Sequence, residues 1–265
     1  MPLAIEHIRR MRGGAQAHLM RCNDDGYYVV KFQNNPQHKR ILVNELLGTR
    51  LAARMGLPTA PSAVVEVRRE LIENTEELAI QLGAARYPCT PGFQFGSRYP
   101  GDPAQTVAHD FLPDERLADV DNLTDFAGML AFDKWLCNTN GRQAVFFLEP
   151  GKSRYQAWMV DQGFCFNAAG WNFPDTPLRG LYSRVSVYQG IRGMEAFAPW
   201  FERIERMAKG DVLDELASEI PPEWYDGDSA ALDELLERLR RRPAGLPNLI
   251  EDARKSYRQP FRNWT

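Results

Sequence analysis

Short alternating segments dominate the first hundred residues of the chain, and helical periodicities dominate the rest. AHLMRC and YYVVKFQ, on either side of NDDG, predict two strands joined by a hairpin turn, and NNP stops the second. From Gln37 to Met55 the apolar Ile41, Leu42, Leu46, Ala52 and Met55 recur at helical spacing. Gly56 and Pro58 end that run as a helix C-terminus. SAVVEVRRELI and ELAIQLGAA read as further strands, and the Pro/Gly-rich YPCTPGFQFGSRYPGDP as a boundary. Beyond it, Leu117, Val120, Leu123, Phe126, Leu130, Trp135 and Leu136 predict one long helix. AVFFLE and YQAWMVD then read as a strand pair around PGKSR. Loops follow Gly170 until Met194, and helices are expected over 197–208, 212–218, 230–241 and 246–257. The pattern gives an α+β chain of two lobes. Residues 1–100 form a β-rich lobe with one helix, and residues 101–265 a mostly helical lobe with a hairpin. The crevice between them is the expected ligand site.

The bulk properties remove classes of function more than they add any. Of 265 residues, 44% are apolar and 11% aromatic, enough for a sizeable core. Thirty-two basic against 35 acidic side chains give a net charge of -3, so the whole-molecule field offers no argument for nucleic acid or an anionic membrane, and neither is expected as a partner. No run of about eighteen uncharged apolar residues is present and the start has no signal-peptide pattern, so a cytoplasmic protein is expected. Cys22, Cys89, Cys137 and Cys165 are scattered without zinc-ligand spacing and read as free thiols. The arginine-rich tail from Arg238 to Arg262 is interleaved with Glu234, Glu237, Glu251 and Asp252, the pattern of a solvated helical face. Trp158, Trp171, Trp200 and Trp224 read as core or loop anchors.

Four places could carry chemistry. Gly13 and Gly14 lie between strands, where their backbone could approach an anion or simply turn. Lys31 ends a strand, and Glu45 follows fourteen residues later on the only helix of that lobe, a spacing that could hold the lysine over phosphates. Asp161 ends an apolar strand in VDQG, placed either to hold a cation or to form a turn. FDKWLCNTNGRQAVFF packs Asp133, Asn138, Asn140, Arg142 and Gln143 between a helix and a strand. Such density serves either catalysis or bracing: Asp133 could cap or ion-pair the loop, Asn138 could support backbone, and Arg142 could pair with an acid.

In this order the segments resemble the HipA-like kinase family, a bacterial branch of the protein-kinase-like fold that shares catalytic-loop features with phosphoinositide kinases. The resemblance is carried by YYVVKF, RILVNELLGTRLAARMGLPTAP, FDKWLCNTNGRQAVFF, MVDQGFCF and the region around IPPEWYDGD. It implies a protein-kinase-like fold in which Lys31 binds ATP phosphates, Glu45 pairs with it, and Asp161 holds Mg2+. The substrate it implies is a hydroxyl, on a protein. The family's loop has the form FD-x-x-x-x-NTDR-x-x-x-N. Here Asn140 stands where the acceptor-orienting aspartate is expected, and Val145 where the metal-binding asparagine is expected. Three accommodations follow. Asp133 and Asn138, five residues apart, could serve in a shifted loop; Gln143 or Asn138 could supply a metal oxygen; or the chain is a pseudokinase that senses nucleotide or binds a partner.

Overall fold

The computed structural model describes residues 1–265. Its first part holds β1 (Ala4–Arg10), β2 (His18–Cys22), β3 (Tyr27–Lys31), α1 (Ile41–Arg54), β4 (Ser62–Val67), α2 (Arg69–Glu73), β5 (Ala79–Leu82), β6 (Ala85–Pro88) and β7 (Gly92–Arg98). The second holds α3 (Asp125–Trp135), β8 (Gln143–Leu148), β9 (Tyr155–Val160), α4 (Ala198–Lys209), α5 (Val212–Ser218), α6 (Ser229–Arg241) and α7 (Leu246–Lys255). Strands in the order β1-β2-β3-β7-β4 make one antiparallel sheet, and β5-β6 and β8-β9 make separate hairpins. This is the α+β, two-lobed arrangement that the pattern predicts, with the β-rich part first. No helix is long and apolar enough to cross a membrane, and all four cysteines are free and buried.

Three sequence expectations need correction. The strand beginning at Ser62 ends at Val67, and RELIE forms the short helix α2, which turns Ile72 into the small core under the sheet. The Pro/Gly stretch is no simple boundary. Its FQFGSR is β7, between β3 and β4, and a Cβ on Gly96 would sit 2.4 Å from Val65 Cγ2. That glycine is there for close packing, which a composition reading cannot separate from a hinge. The long helix is broken. A 3-10 turn over Asp114–Asp119 precedes α3, and between them Asn122 exchanges two 2.9 Å hydrogen bonds with the backbone of Ala157. The chain there pairs with the edge of β9 instead of winding on.

Two cores result. One, of 12 buried residues, lies under the sheet and includes Met20, Val30, Phe32, Val65 and Ile80. The other, of 49, runs through the helical part and takes in Ile41, Leu42, Leu46, Leu47 and Leu51 of α1. α1 is buried on nearly every face, which is why its sequence reads as apolar all round rather than striped.

His18 gives the sheet a pH dependence. It is fully buried, its Nδ1 lies 3.1 Å from His7 Nε2, and its ring meets Phe32 edge-on. Burial, reinforced by the nearby His7 and Arg10, pushes it down to about 4. The folded His18 stays neutral while an unfolded one takes a proton near pH 6.5, so stability is full above that pH and falls between pH 6.5 and 4. The loss should reach roughly 3 kcal/mol. Urea unfolding at pH 7 and pH 4.5 should show a smaller loss for His18→Gln than for the parent; an equal loss would assign the dependence to other groups.

Candidate functional site

β3, α1 and the residues after β9 converge on one lysine. Lys31 Nζ donates to Glu45 Oε1 and, over 2.7 Å, to Asp161 Oδ1. Glu45 is one turn into α1 and 2% exposed, whereas the Asp161 side chain is 20% exposed, so one carboxylate is sealed beneath the lysine and the other faces outward. The Glu45 carboxylate also accepts from the backbone of Gln162 (3.0 Å) and Gly163 (2.8 Å), which fixes the turn carrying Asp161. Asp161 itself has φ 63°, a left-handed backbone that a short polar side chain tolerates better than a branched one. A Cβ on Gly163 would lie 2.7 Å from Ile41 Cγ1 and 3.0 Å from Glu45 Oε1. The glycine of VDQG is required by the closeness of α1.

Charge is concentrated here. Burial opposes a proton on Lys31, but Glu45 and Asp161 outweigh it and raise its pKa. Burial pushes Glu45 up against the pull of Lys31. Asp161 is likewise opposed by burial, yet Lys31 holds its carboxyl below the usual range. Two acids around one base give a site with net negative character that a cation would relieve.

Asp133, Asn138 and Arg142 lie beneath this site and do not line it. Asp133 is completely buried. Its Oδ2 accepts from Arg142 Nε at 2.8 Å, its Oδ1 from Arg142 Nη2 and, at 3.0 Å, from Asn138 Nδ2. Arg142 goes on to Val160 O (2.7 Å) and Gln162 Oε1 (2.9 Å), and Asn138 Oδ1 accepts from the Asn140 backbone at 3.1 Å. Both oxygens of the Asp133 carboxylate are turned to Arg142 and Asn138, and neither Asp133 nor Asn138, the shifted-loop pair, is among the residues that line the cleft. Gly180 closes over the pair with φ 75°, where a Cβ would stand 2.3 Å from Asp133 Cβ. The bracing alternatives describe these three residues as the structure places them.

The remaining candidates meet in a cleft of about 390 Å³. Gly13, Gly14, Lys31, Glu45, Asn140, Gln143, Val145 and Asp161 all line it, and Arg12 joins them from the glycine loop. Gln143 Nε2 donates to Asp161 Oδ2 at 2.7 Å. Asn140 is exposed and its Oδ1 accepts from Gly141 N at 2.9 Å. The cleft continues into a slot of about 320 Å³ walled by Val29, Ala60, Tyr99, Val145, Trp158 and Val160. Trp158 is therefore a wall of the cleft, while Trp171 and Trp224 are buried anchors. No cluster of three or more His, Cys, Asp or Glu side chains is placed to hold a metal ion with protein ligands alone.

Residues that the sequence reading passed over hold the Asp161 turn. Asn44 Nδ2 donates to the carbonyls of Gly163 (2.8 Å), Cys165 (2.9 Å) and Ala168 (2.9 Å), and its Oδ1 accepts from Trp171 Nε1 at 2.8 Å. His38 Nε2 reaches Gly163 O at 2.8 Å. Lys39 and Arg40 are tied to Asp226 and Asp228, so the YDGD segment steadies the approach to α1. The one available signal was an asparagine inside an apolar helix, which must bury four hydrogen-bonding positions and so must find partners.

A family model described as HipA-like kinase matches residues 4–145, more than half of the chain. Solved structures add the fold. A Helicobacter pylori proinflammatory kinase, CtkA, superposes with TM-score 0.59 at 12% identity, covering 94% of this chain and 95% of that one. The Golgi casein kinase with Mn/ADP bound superposes with TM-score 0.52 at 12% identity, covering 96% of this chain and 74% of that one. No curated protein matches the chain.

Proposed function

The chain belongs to the HipA-like kinase family, and from that premise we propose that it is a cytoplasmic ATP-dependent kinase. It takes ATP with Mg2+ in the cleft between the sheet and the helical part and passes the γ-phosphate to a hydroxyl, on a protein. The observation that carries this reading is Lys31 held between Glu45 and Asp161 at the cleft wall. A lysine fixed by a buried carboxylate presents its charge to phosphate oxygens without losing rotamer freedom on binding. The Mn/ADP bound to the Golgi casein kinase is in keeping with it.

The residues present fit a nucleotide-borne cation. Asp161 supplies a carboxylate, with the Gln143 and Asn140 amides on the same cleft, and Mg2+ needs little more because it keeps water and phosphate oxygens in its shell. When bound, the ion neutralises phosphate charge. Lys31 binds phosphate oxygens, and the Gly13 and Gly14 backbone approaches them from above, Gly13 at φ 112° with open space where a Cβ would be. Asn140 orients the acceptor hydroxyl by hydrogen bonding and takes no proton. Transfer then rests on position and charge compensation, which supply most of phosphoryl-transfer catalysis. Asp133, Asn138 and Arg142 position Asn140 and the Asp161 turn.

The test is a thermal-unfolding titration with ATP and Mg2+. At about a hundred times its dissociation constant, ligand should add roughly 2.7 kcal/mol, a shift of several degrees, and Lys31→Ala should abolish it. An unshifted parent protein would sink the reading. The second reading is a pseudokinase, favoured by Asn140 and Val145 on the cleft wall. It predicts the same shift with no transfer of radiolabelled phosphate.

A further inference from the structure

We propose that the cleft holds its nucleotide with one divalent cation rather than two, because Val145 occupies the place from which a second oxygen ligand would come. The inference rests on the nucleotide-binding reading above. Kinase sites commonly hold two cations, one on the aspartate that follows the hairpin strand and one shared with an amide of the loop before it. Here the two residues of β8 that line the cleft are Gln143 and Val145, while Ala144 and Phe146 between and beyond them are buried on the other face. Only the first carries oxygen. Gln143 Nε2 donates to Asp161 Oδ2, so the one amide of β8 on the cleft stands beside the one carboxylate that faces it. Val145 lies two residues along the strand, roughly 7 Å away, and opposite Trp158.

The surroundings of Val145 are those of an apolar wall. Val29, Ala60, Trp158 and Val160 share its slot, and a hard cation placed there would give up hydration for contacts with methyl and indole groups. The other carboxylates do not fill the gap. Glu45 is sealed under Lys31 and two backbone N–H groups. Asp110, from the segment after β7, lines the cleft with the arginines Arg9, Arg12 and Arg98, whose charge repels a second cation. Arg12, which also lines the Lys31 part of the cleft, contributes positive charge toward phosphates where another metal ion would.

The experiment counts Mn2+ on the intact protein by electron paramagnetic resonance, with ADP at saturation and an ADP blank subtracted. The parent should hold one Mn2+ per chain and Val145→Asn two, while Val145→Leu, which brings no oxygen, reports on folding and stays at one. Two Mn2+ on the parent, or one on a folded Val145→Asn, would overturn the proposal. A parent count of two that falls to one in Asp110→Asn would move the second ligand to that residue, also against it. Absence of ADP binding at any Mn2+ concentration would instead remove the nucleotide reading and this inference with it.

Discussion

Arg142→Ala is expected to lower the unfolding free energy by about 3–5 kcal/mol, the cost of leaving a buried carboxylate without its partner. Both side chains of the Asp133–Arg142 pair are fully enclosed, and Asn138 alone would face the remaining charge. Arg142→Lys should recover only part of the loss, because one ammonium cannot reproduce donation from Nε and Nη2 together while also reaching Val160 and Gln162. Replacing both partners by apolar residues of similar volume should cost less than either single change. Urea unfolding at pH 7 decides it, and a loss under about 1 kcal/mol for Arg142→Ala would mean that water or a neighbouring cation replaces the guanidinium.

Asp161→Ala should act in the opposite way, removing ligand response while sparing the fold. Without Asp161, Lys31 and Glu45 remain a one-to-one ion pair, and the like-charge pressure that helps hold Glu45 high is relieved. Unliganded stability should therefore change by less than about 1 kcal/mol. The gain of roughly 2.7 kcal/mol at a hundredfold excess of Mg-ATP over the parent's dissociation constant should disappear. The informative outcome is the contrast with Arg142→Ala, measured on the same thermal titration. If Asp161→Ala keeps the parent's ligand shift, Asp161 does not hold the cation.

Much of this was legible in the chain. The Lys31 strand, the helix around Glu45 and the hairpin ending at Asp161 each announce themselves by local periodicity, and the structure brings their three charges together. What periodicity could not reveal is depth. Asp133, in the last turn of α3, and Asp161, directly after β9, both stand close to a polar loop, yet one is sealed with Arg142 and the other faces the cleft. Asp133 is enclosed by Gly180, far away in sequence, and the Asp161 turn is held by Glu45, more than a hundred residues earlier. Asn44 was missed for the same reason, since all three carbonyls it binds lie more than a hundred residues on. β7 was hidden because Gly96 serves packing against Val65, and glycine reads locally as a break.

α1 lies early in the chain but shares its buried surface with residues from Leu112 onward, and its Asn44 and Glu45 grip the turn after β9. The helix that sequence order assigns to the β-rich part is thus packed into the helical one, and of the three charges at the cleft wall only Lys31 belongs to the sheet. A cut of the chain at residue 100 would strip the later residues of the carboxylate that holds the Asp161 turn.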